Sequence, residues 1–197
     1  MVKRLILGLF NLLIIIQFAR ATTGDTTNYT IDVNSSVLNW SIDVHHGTIL
    51  LKKGTIKMQG KKLIAACVTV QMDSVHDQDI TYELMRKTLH NVLRSDVFFN
   101  TKKYPYSFFV LDEAKLLPDG RYRVQGDLTI TGVSNCVRFT IHINKKGKGL
   151  EITSDPFKVD RLRWGITSYS THAAKSEKNF IVSDSINFSF QLVAKEE

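Results

Sequence analysis

Apolar and polar residues alternate along most of the chain. A period of two is typical of strands that bury one face and expose the other to water. In the clearest stretch, Tyr122, Val124, Leu128 and Ile130 alternate with polar residues and with Gly126. The same alternation occupies residues 29–33, 38–44, 64–72, 137–143 and 186–192. The pattern therefore predicts a protein built mainly from antiparallel β-strands.

One segment departs from this alternation. Between Thr81 and Leu93 the apolar residues Tyr82, Met85, Leu89 and Val92 fall at helical spacing. We expect one helix there, with four strands before it and four or five after it. Asp79 or Thr81 is the expected N-terminal cap. A sheet of this size with one apolar face must close into a barrel or fold into a sandwich, and the alternation alone leaves both open.

The N-terminus has the features of an export signal. Lys3 and Arg4 precede an apolar run, and Ala19-Arg20-Ala21 forms an A-x-A cleavage site. We expect residues 1–21 to be a signal peptide and residues 22–197 to be a periplasmic or secreted domain. Removal of three basic residues would lower the formal charge from +7 to +4. This mild excess suits solubility or contact with a membrane surface, and no basic motif indicates nucleic acid.

The residues that could carry metal, redox or catalytic chemistry form no recognisable motif. Cys67 and Cys136 fall on polar faces of different strands, so we expect both to be unpaired. His45 and His46 are adjacent on a strand and should point to opposite faces, which argues against one shared ion, so no metal site is predicted. No nucleophile elbow, zinc-protease motif or phosphate-binding loop occurs.

Four stretches, in order, resemble the YceI-like family. "NYTIDVNSSVLNWSI" resembles its opening strand pair, and "NVLRSDVFFNTKKYPYSFF" resembles its pattern HLRSxxFFDxxxYPxxxF. "VQGDLTITGVS" and "VDRLRWGI" resemble two later elements, so the likeness covers roughly residues 28–194. Val92 stands where many members have histidine. The resemblance implies an all-β, antiparallel eight-stranded lipocalin-like barrel, with one α-helix between the fourth and fifth strands.

The resemblance also implies a function. Family members are described as periplasmic proteins that bind polyisoprenoids, such as isoprenoid quinones or prenyl pyrophosphates, in an apolar cavity. We therefore expect an exported lipid-binding protein that holds a polyisoprenoid or an isoprenoid quinone in the barrel cavity, without enzymatic activity and without a cofactor other than the bound lipid. An enzyme that acts on a lipid in the same cavity, as an isomerase or hydrolase, is the alternative. A third reading is an interaction protein with a filled core, and a homodimer is left open.

Positions on the apolar face supply the candidate site. Small inward residues, Ala66 and Gly126, would leave room for a ligand. Phe98 and Phe99 should lie at a barrel end, where at least one closes the core and the other lines the mouth of the cavity. Arg161 and Arg163 are candidates to meet a lipid headgroup. The expected cavity residues are Trp40, Ala66, Val68, Val70, Phe98, Phe99, Phe109, Gly126, Leu128, Phe139, Trp164 and Phe188.

Overall fold

The computed structural model describes residues 25–170, 172 and 181–197. The predicted signal peptide and its cleavage site lie outside these residues. The strands are Thr26–Ile31 (β1), Val37–Ile42 (β2), His45–Ile49 (β3), Leu51–Gln59 (β4), Lys62–Gln71 (β5), His76–Asp77 (β6), Tyr106–Leu116 (β7), Tyr122–Ile130 (β8), Val133–Lys146 (β9), Gly149–Ser154 (β10), Phe157–Asp160 (β11) and Ser185–Glu196 (β12). The helix is Glu83–Arg94 (α1). Among the described residues, no helix has the length and apolar character needed to cross a membrane.

Eight strands form a closed antiparallel ring in the order β1-β4-β5-β7-β8-β9-β10-β12, and β12 pairs back with β1. This confirms the eight-stranded barrel. The sequence placed the helix after the fourth strand, but in the ring it follows the third. The reason is that β1 and β2, counted in the sequence as two strands, both pair with β12, at residues 194–196 and 187–191 respectively. A short turn at Val33–Ser35, capped by Asp32, separates them.

The inner face of the ring carries the alternating apolar residues. In β8, Tyr122, Val124 and Ile130 are buried, while Arg123 and Asp127 are exposed. Outside the ring, β3 pairs with β2 and with the two-residue strand β6. α1 packs against β6 of this ribbon. The alternating direction of the side chains along each ring strand therefore decides which of them face the lumen and which face the solvent.

The helix differs from expectation at its N-terminus. Tyr82 occupies the cap position and makes no capping bond through its side chain, whereas the predicted caps were Asp79 and Thr81. Asp79 accepts hydrogen bonds from His45 and His46 instead. Leu93 is the buried residue of the helix, while Tyr82 and Met85 are exposed.

Both cysteines are free, as predicted. Cys67 pairs with Val110 of β7, Val110 pairs with Asp127 of β8, and Asp127 pairs with Cys136 of β9. Three strand spacings of about 4.8 Å therefore separate the cysteines. Disulfide geometry requires Cα atoms within about 7 Å.

Alkylation without reductant should therefore add two labels per chain. Cys67 should react first because it is exposed, whereas Cys136 is half-buried. Mass spectrometry along a time course measures both. If fewer than two labels are added until a reductant is present, the free-thiol assignment is wrong.

Candidate functional site

The barrel encloses an apolar cavity of about 140 Å³. Its wall takes side chains from all the ring strands except β1, and Ser107 is the single polar residue among the described residues of the wall. Eight predicted residues lie on this wall: Ala66, Val68, Val70, Phe99, Phe109, Leu128, Phe139 and Phe188. Strand alternation pointed to most of these residues, whereas Phe99 lies outside the strands, in the segment that follows α1.

A cluster of phenylalanine rings occupies the middle of the wall. The rings of Phe139 and Phe157 stack with centroids 4.5 Å apart, and Phe109 lies 5.4 Å from Phe139. Phe190 meets Phe139 edge to face at 5.8 Å, and Phe188 lies 5.9 Å from Phe157. The sequence analysis did not select Phe157 and Phe190. Phe190 alternates in step with Phe188 and was detectable, whereas Phe157 belongs to a four-residue strand too short to show a period.

Two buried polar atoms at the cavities have no hydrogen-bond partner in the described structure. One is the Ser107 hydroxyl on the cavity wall, in a residue that is 3% exposed. The other is Nε1 of Trp40, which lines a second, smaller cavity of about 20 Å³. A buried hydroxyl or N–H without a partner costs about 1–3 kcal/mol. A ligand oxygen within reach of either atom would recover part of that cost.

Phe98 and Phe99 close the end of the barrel that carries the small cavity. Their rings meet edge to face at 4.8 Å, and both residues are 6% exposed. Phe99 lies on the walls of both cavities, whereas Phe98 lines only the small one. The N–H of Phe99 donates to the carbonyl oxygen of Leu93 at the end of α1. The pair therefore packs beneath the helix end, and Phe99, with Ile49 and Phe188, lines both cavities.

Arg161 is a buried structural residue. Its side chain has no exposed area, its Nη2 lies 3.3 Å from Oδ1 of Asp184, and its guanidinium lies 5.5 Å from the centre of the Phe98 ring. The guanidinium donates to four backbone carbonyl oxygens at 2.7 to 3.0 Å: those of Ser183, Ile166, Ser168 and Val182. Burial lowers the pKa of Arg161, and the nearby Asp184 carboxylate opposes that shift. Because these protein groups engage the guanidinium, the headgroup prediction does not fit Arg161.

Two neighbours of Arg161 have different surroundings. Arg163 is exposed, lies over the Trp164 ring at 5.4 Å and donates to the carbonyl oxygen of Cys136. Trp164 is 1% exposed, and its Nε1 donates to the carbonyl oxygen of Leu128. The walls of the two cavities do not include Trp164. The headgroup role stays a prediction for Arg163, and Trp164 packs behind the wall.

Gly126 faces inward but leaves no free space, contrary to expectation. A Cβ atom at this position would lie 2.6 Å from Cζ of Phe109 and would also collide with the carbonyl oxygen of Val110. The Phe109 ring therefore fills the space that the missing side chain leaves. Ala66 is the small residue that does lie on the cavity wall.

Comparison with known proteins identifies the family of this barrel. A family profile described as the YceI-like domain matches residues 29–194. The chain belongs to the YceI-like family. The resemblance seen in the sequence is therefore confirmed. No curated protein sequence matches the chain.

Solved structures share the family fold at low identity. BcnA of Burkholderia cenocepacia is 19% identical with a TM-score of 0.62, over 84% of this chain and 99% of that one. A YceI protein of Campylobacter jejuni is 21% identical with a TM-score of 0.56, over 80% and 81%. A polyisoprenoid-binding domain of Saccharophagus degradans is 14% identical with a TM-score of 0.59, over 86% and 98%. At these identities the likeness supports the fold.

Proposed function

We propose that this protein binds a polyisoprenoid chain in the barrel cavity and acts as a lipid-binding protein. The observation that carries the proposal is the wall itself, which is apolar apart from Ser107 and rich in phenylalanine. Such a wall disfavours a polar metabolite, since burial of an unpaired polar group costs several kcal/mol. Membership of the YceI-like family and the fold shared with a polyisoprenoid-binding domain support the same ligand class.

The size of the cavity adds a requirement. A dry cavity of about 150 Å³ holds one benzene molecule. The 140 Å³ here therefore accommodates roughly one isoprene unit. A longer chain requires the phenylalanine rings to move apart. Each buried CH₂ of the chain contributes about 0.8 kcal/mol, so several isoprene units can offset that rearrangement.

The headgroup and the cellular location are finer parts of the proposal. A prenol hydroxyl or a quinone carbonyl would accept a hydrogen bond from Ser107, whose hydroxyl has no other partner in the described part of the chain. Export after Ala21 rests on the sequence of residues 1–21. The described wall carries no carboxyl, imidazole or thiol group, which favours binding over the alternative of lipid chemistry in the cavity.

Ala66→Phe tests the function, with Ala65→Phe as the matched control. Ala66 lies on the cavity wall, whereas the adjacent Ala65 is exposed on the outer face of β5. A phenyl ring at position 66 should occupy space needed by the ligand and weaken farnesol binding about 10-fold or more, equivalent to ~1.4 kcal/mol. Ala65→Phe should bind as the parent protein does. Titration of delipidated protein with farnesol measures both affinities, and thermal melting checks that both variants fold.

Two results would contradict the proposal. Equal farnesol affinity in Ala66→Phe and the parent would place the ligand outside this cavity. If the parent protein binds neither farnesol nor a prenyl quinone, and an organic extract of it contains no isoprenoid, lipid binding itself is wrong.

A further inference from the structure

Four of the six histidines in the chain lie where β3, β6 and α1 meet. His45 and His46 open β3, His76 belongs to β6, and His90 lies in α1. The rings of His76 and His90 are 5.2 Å apart. This concentration is outside the lipid cavity, since none of the described residues on the cavity wall is a histidine. The proposed lipid function therefore does not account for it.

Backbone pairing brings acidic residues to these histidines. Gly47 of β3 pairs with Asp77 of β6, and a Cβ at position 47 would collide with the carbonyl oxygen of His76. Glycine is thus required for β6 to lie this close to β3. His45 is two residues before Gly47, and Asp79 is two residues after Asp77, so the antiparallel arrangement places their side chains together.

The resulting cluster consists of His45, Asp77 and Asp79. Nδ1 of His45 lies 2.9 Å from Oδ2 of Asp79 and 3.8 Å from Oδ2 of Asp77. One ligand atom from each residue lies within 4.8 Å of the other two. The backbone N–H of His46 also donates to Oδ1 of Asp79 at 2.8 Å. Burial acts to raise the pKa of Asp79, but the hydrogen bonds from His46 and His45 lower it to about 2.

Asp77 supplies a second, independent observation. Its side chain has no exposed area, yet Oδ2 has no hydrogen-bond partner among the residues that the structure describes. The other oxygen, Oδ1, accepts from the backbone N–H of Ile80 at 2.9 Å, and this bond fixes the carboxyl group with Oδ2 towards His45. A buried carboxylate oxygen without a partner is costly unless a cation or a proton meets it.

We propose that His45, Asp77 and Asp79 bind one divalent transition-metal ion, such as Zn²⁺. The ligand atoms are Nδ1 of His45 and Oδ2 of both aspartates. The half-exposed positions of His45 and Asp79 leave room for water as a fourth ligand. The ion would join β3 to β6 and so fasten the ribbon beside α1.

The geometry and ligand types decide the class of ion. Zinc binds imidazole nitrogen at about 2.0–2.1 Å and carboxylate oxygen at about 2.0–2.2 Å. In a tetrahedral site, ligand atoms at these lengths are roughly 3.4 Å apart. The two separations from His45 Nδ1, 2.9 and 3.8 Å, lie on either side of that value. An imidazole ligand favours zinc over calcium and magnesium, which prefer oxygen ligands.

The sequence argument against a metal considered only the two adjacent histidines. The ligand set instead pairs His45 with aspartates that are more than 30 residues away in the chain. Neither aspartate belongs to a recognisable metal motif, and only the β3–β6 pairing brings them to the histidine.

The test is zinc binding by untagged, chelator-treated protein. Isothermal titration with zinc chloride should give one site per chain. Asp77→Asn keeps the oxygen that accepts from Ile80 but replaces the unpartnered oxygen with an amide, so it should fold and lose zinc affinity. Asp79→Asn and His45→Ala should do the same. The loss should exceed the roughly 10- to 100-fold cost of removing an outer-shell partner.

His142→Ala and Asp155→Asn are matched controls. Nε2 of His142 lies 3.3 Å from Oδ1 of Asp155, so this is another histidine–aspartate pair, and no second carboxylate of the described residues pairs with this histidine. Both controls should bind zinc as the parent does. A saturating excess of zinc, about 100 times Kd, should also raise the melting temperature of the parent by about 5–10 °C. Asp77→Asn should show no such shift.

Several outcomes would overturn the proposal. Zinc binding that is absent from the parent, retained in Asp77→Asn or lost equally in His142→Ala would exclude this site. Displacement of zinc by millimolar calcium would overturn the assignment to a transition ion. Because farnesol binding is measured separately, failure here leaves the lipid function untouched.

Discussion

Arg161→Met is expected to destabilise the protein by about 3–5 kcal/mol, the usual cost of removing one partner of a buried ion pair. Methionine fills similar space but donates no hydrogen bond. Four carbonyl oxygens would lose their donor, and Asp184 would lose its nearest buried cation. For a protein of this size the melting temperature should fall by about 6–20 °C. Thermal and urea unfolding measure the loss.

Arg163→Met is the matched control, because the two arginines are two positions apart in the same short 3₁₀ helix, Arg161–Trp164. Arg163 is exposed, with one hydrogen bond to a carbonyl oxygen at 3.3 Å and its guanidinium over Trp164. Its replacement should cost no more than about 1 kcal/mol. Equal losses in both variants, or a loss below about 1 kcal/mol in Arg161→Met, would contradict the structural role of Arg161.

The burial of Arg161 and the exposure of Arg163 could not be predicted from the sequence. "DRLRW" contains two chemically identical side chains, and no periodicity in four residues separates the buried one from the exposed one. Burial of Arg161 depends on carbonyl groups near residues 166–168 and 182–183, which the fold brings to it. Their charge suggested a headgroup role for both arginines. The hydrogen bonds of Arg161 instead join it to the backbone of the loops around it.

The barrel wall was more predictable, because strand alternation fixes direction without knowledge of the partners. Ala66, Val68 and Val70 face the cavity at every second position of β5. What alternation does not reveal is whether the space beside an inward residue is free. Gly126 faces inward as predicted, but the ring of Phe109 from the neighbouring strand covers it. The cluster of His45, Asp77 and Asp79 was also missed. Only the pairing of β3 with β6 brings the aspartates to His45, and alternation does not reveal which strands pair.

Phe109→Ala should have opposite effects on stability and on ligand binding. The Phe109 ring covers Gly126, packs 5.4 Å from Phe139 and lies on the cavity wall. Removal of a buried phenyl group costs about 3–5 kcal/mol. Because this ring is only half-buried, we expect a loss of about 2–4 kcal/mol in the delipidated protein. The enlarged cavity should accept farnesol without the cost of moving that ring.

Phe108→Ala provides the comparison, since Phe108 is the preceding residue of β7 and is 43% exposed on the outer face. It should lose no more than about 1 kcal/mol, the range of strand propensity, and its farnesol affinity should match that of the parent. Saturating farnesol should therefore raise the melting temperature of Phe109→Ala more than that of the parent or Phe108→Ala. If the core is filled and binds no lipid, Phe109→Ala should be destabilised and saturating farnesol should not raise its melting temperature. If Phe108→Ala loses as much stability as Phe109→Ala, the assignment of Phe108 to the outer face of β7 and of Phe109 to the inner face is wrong.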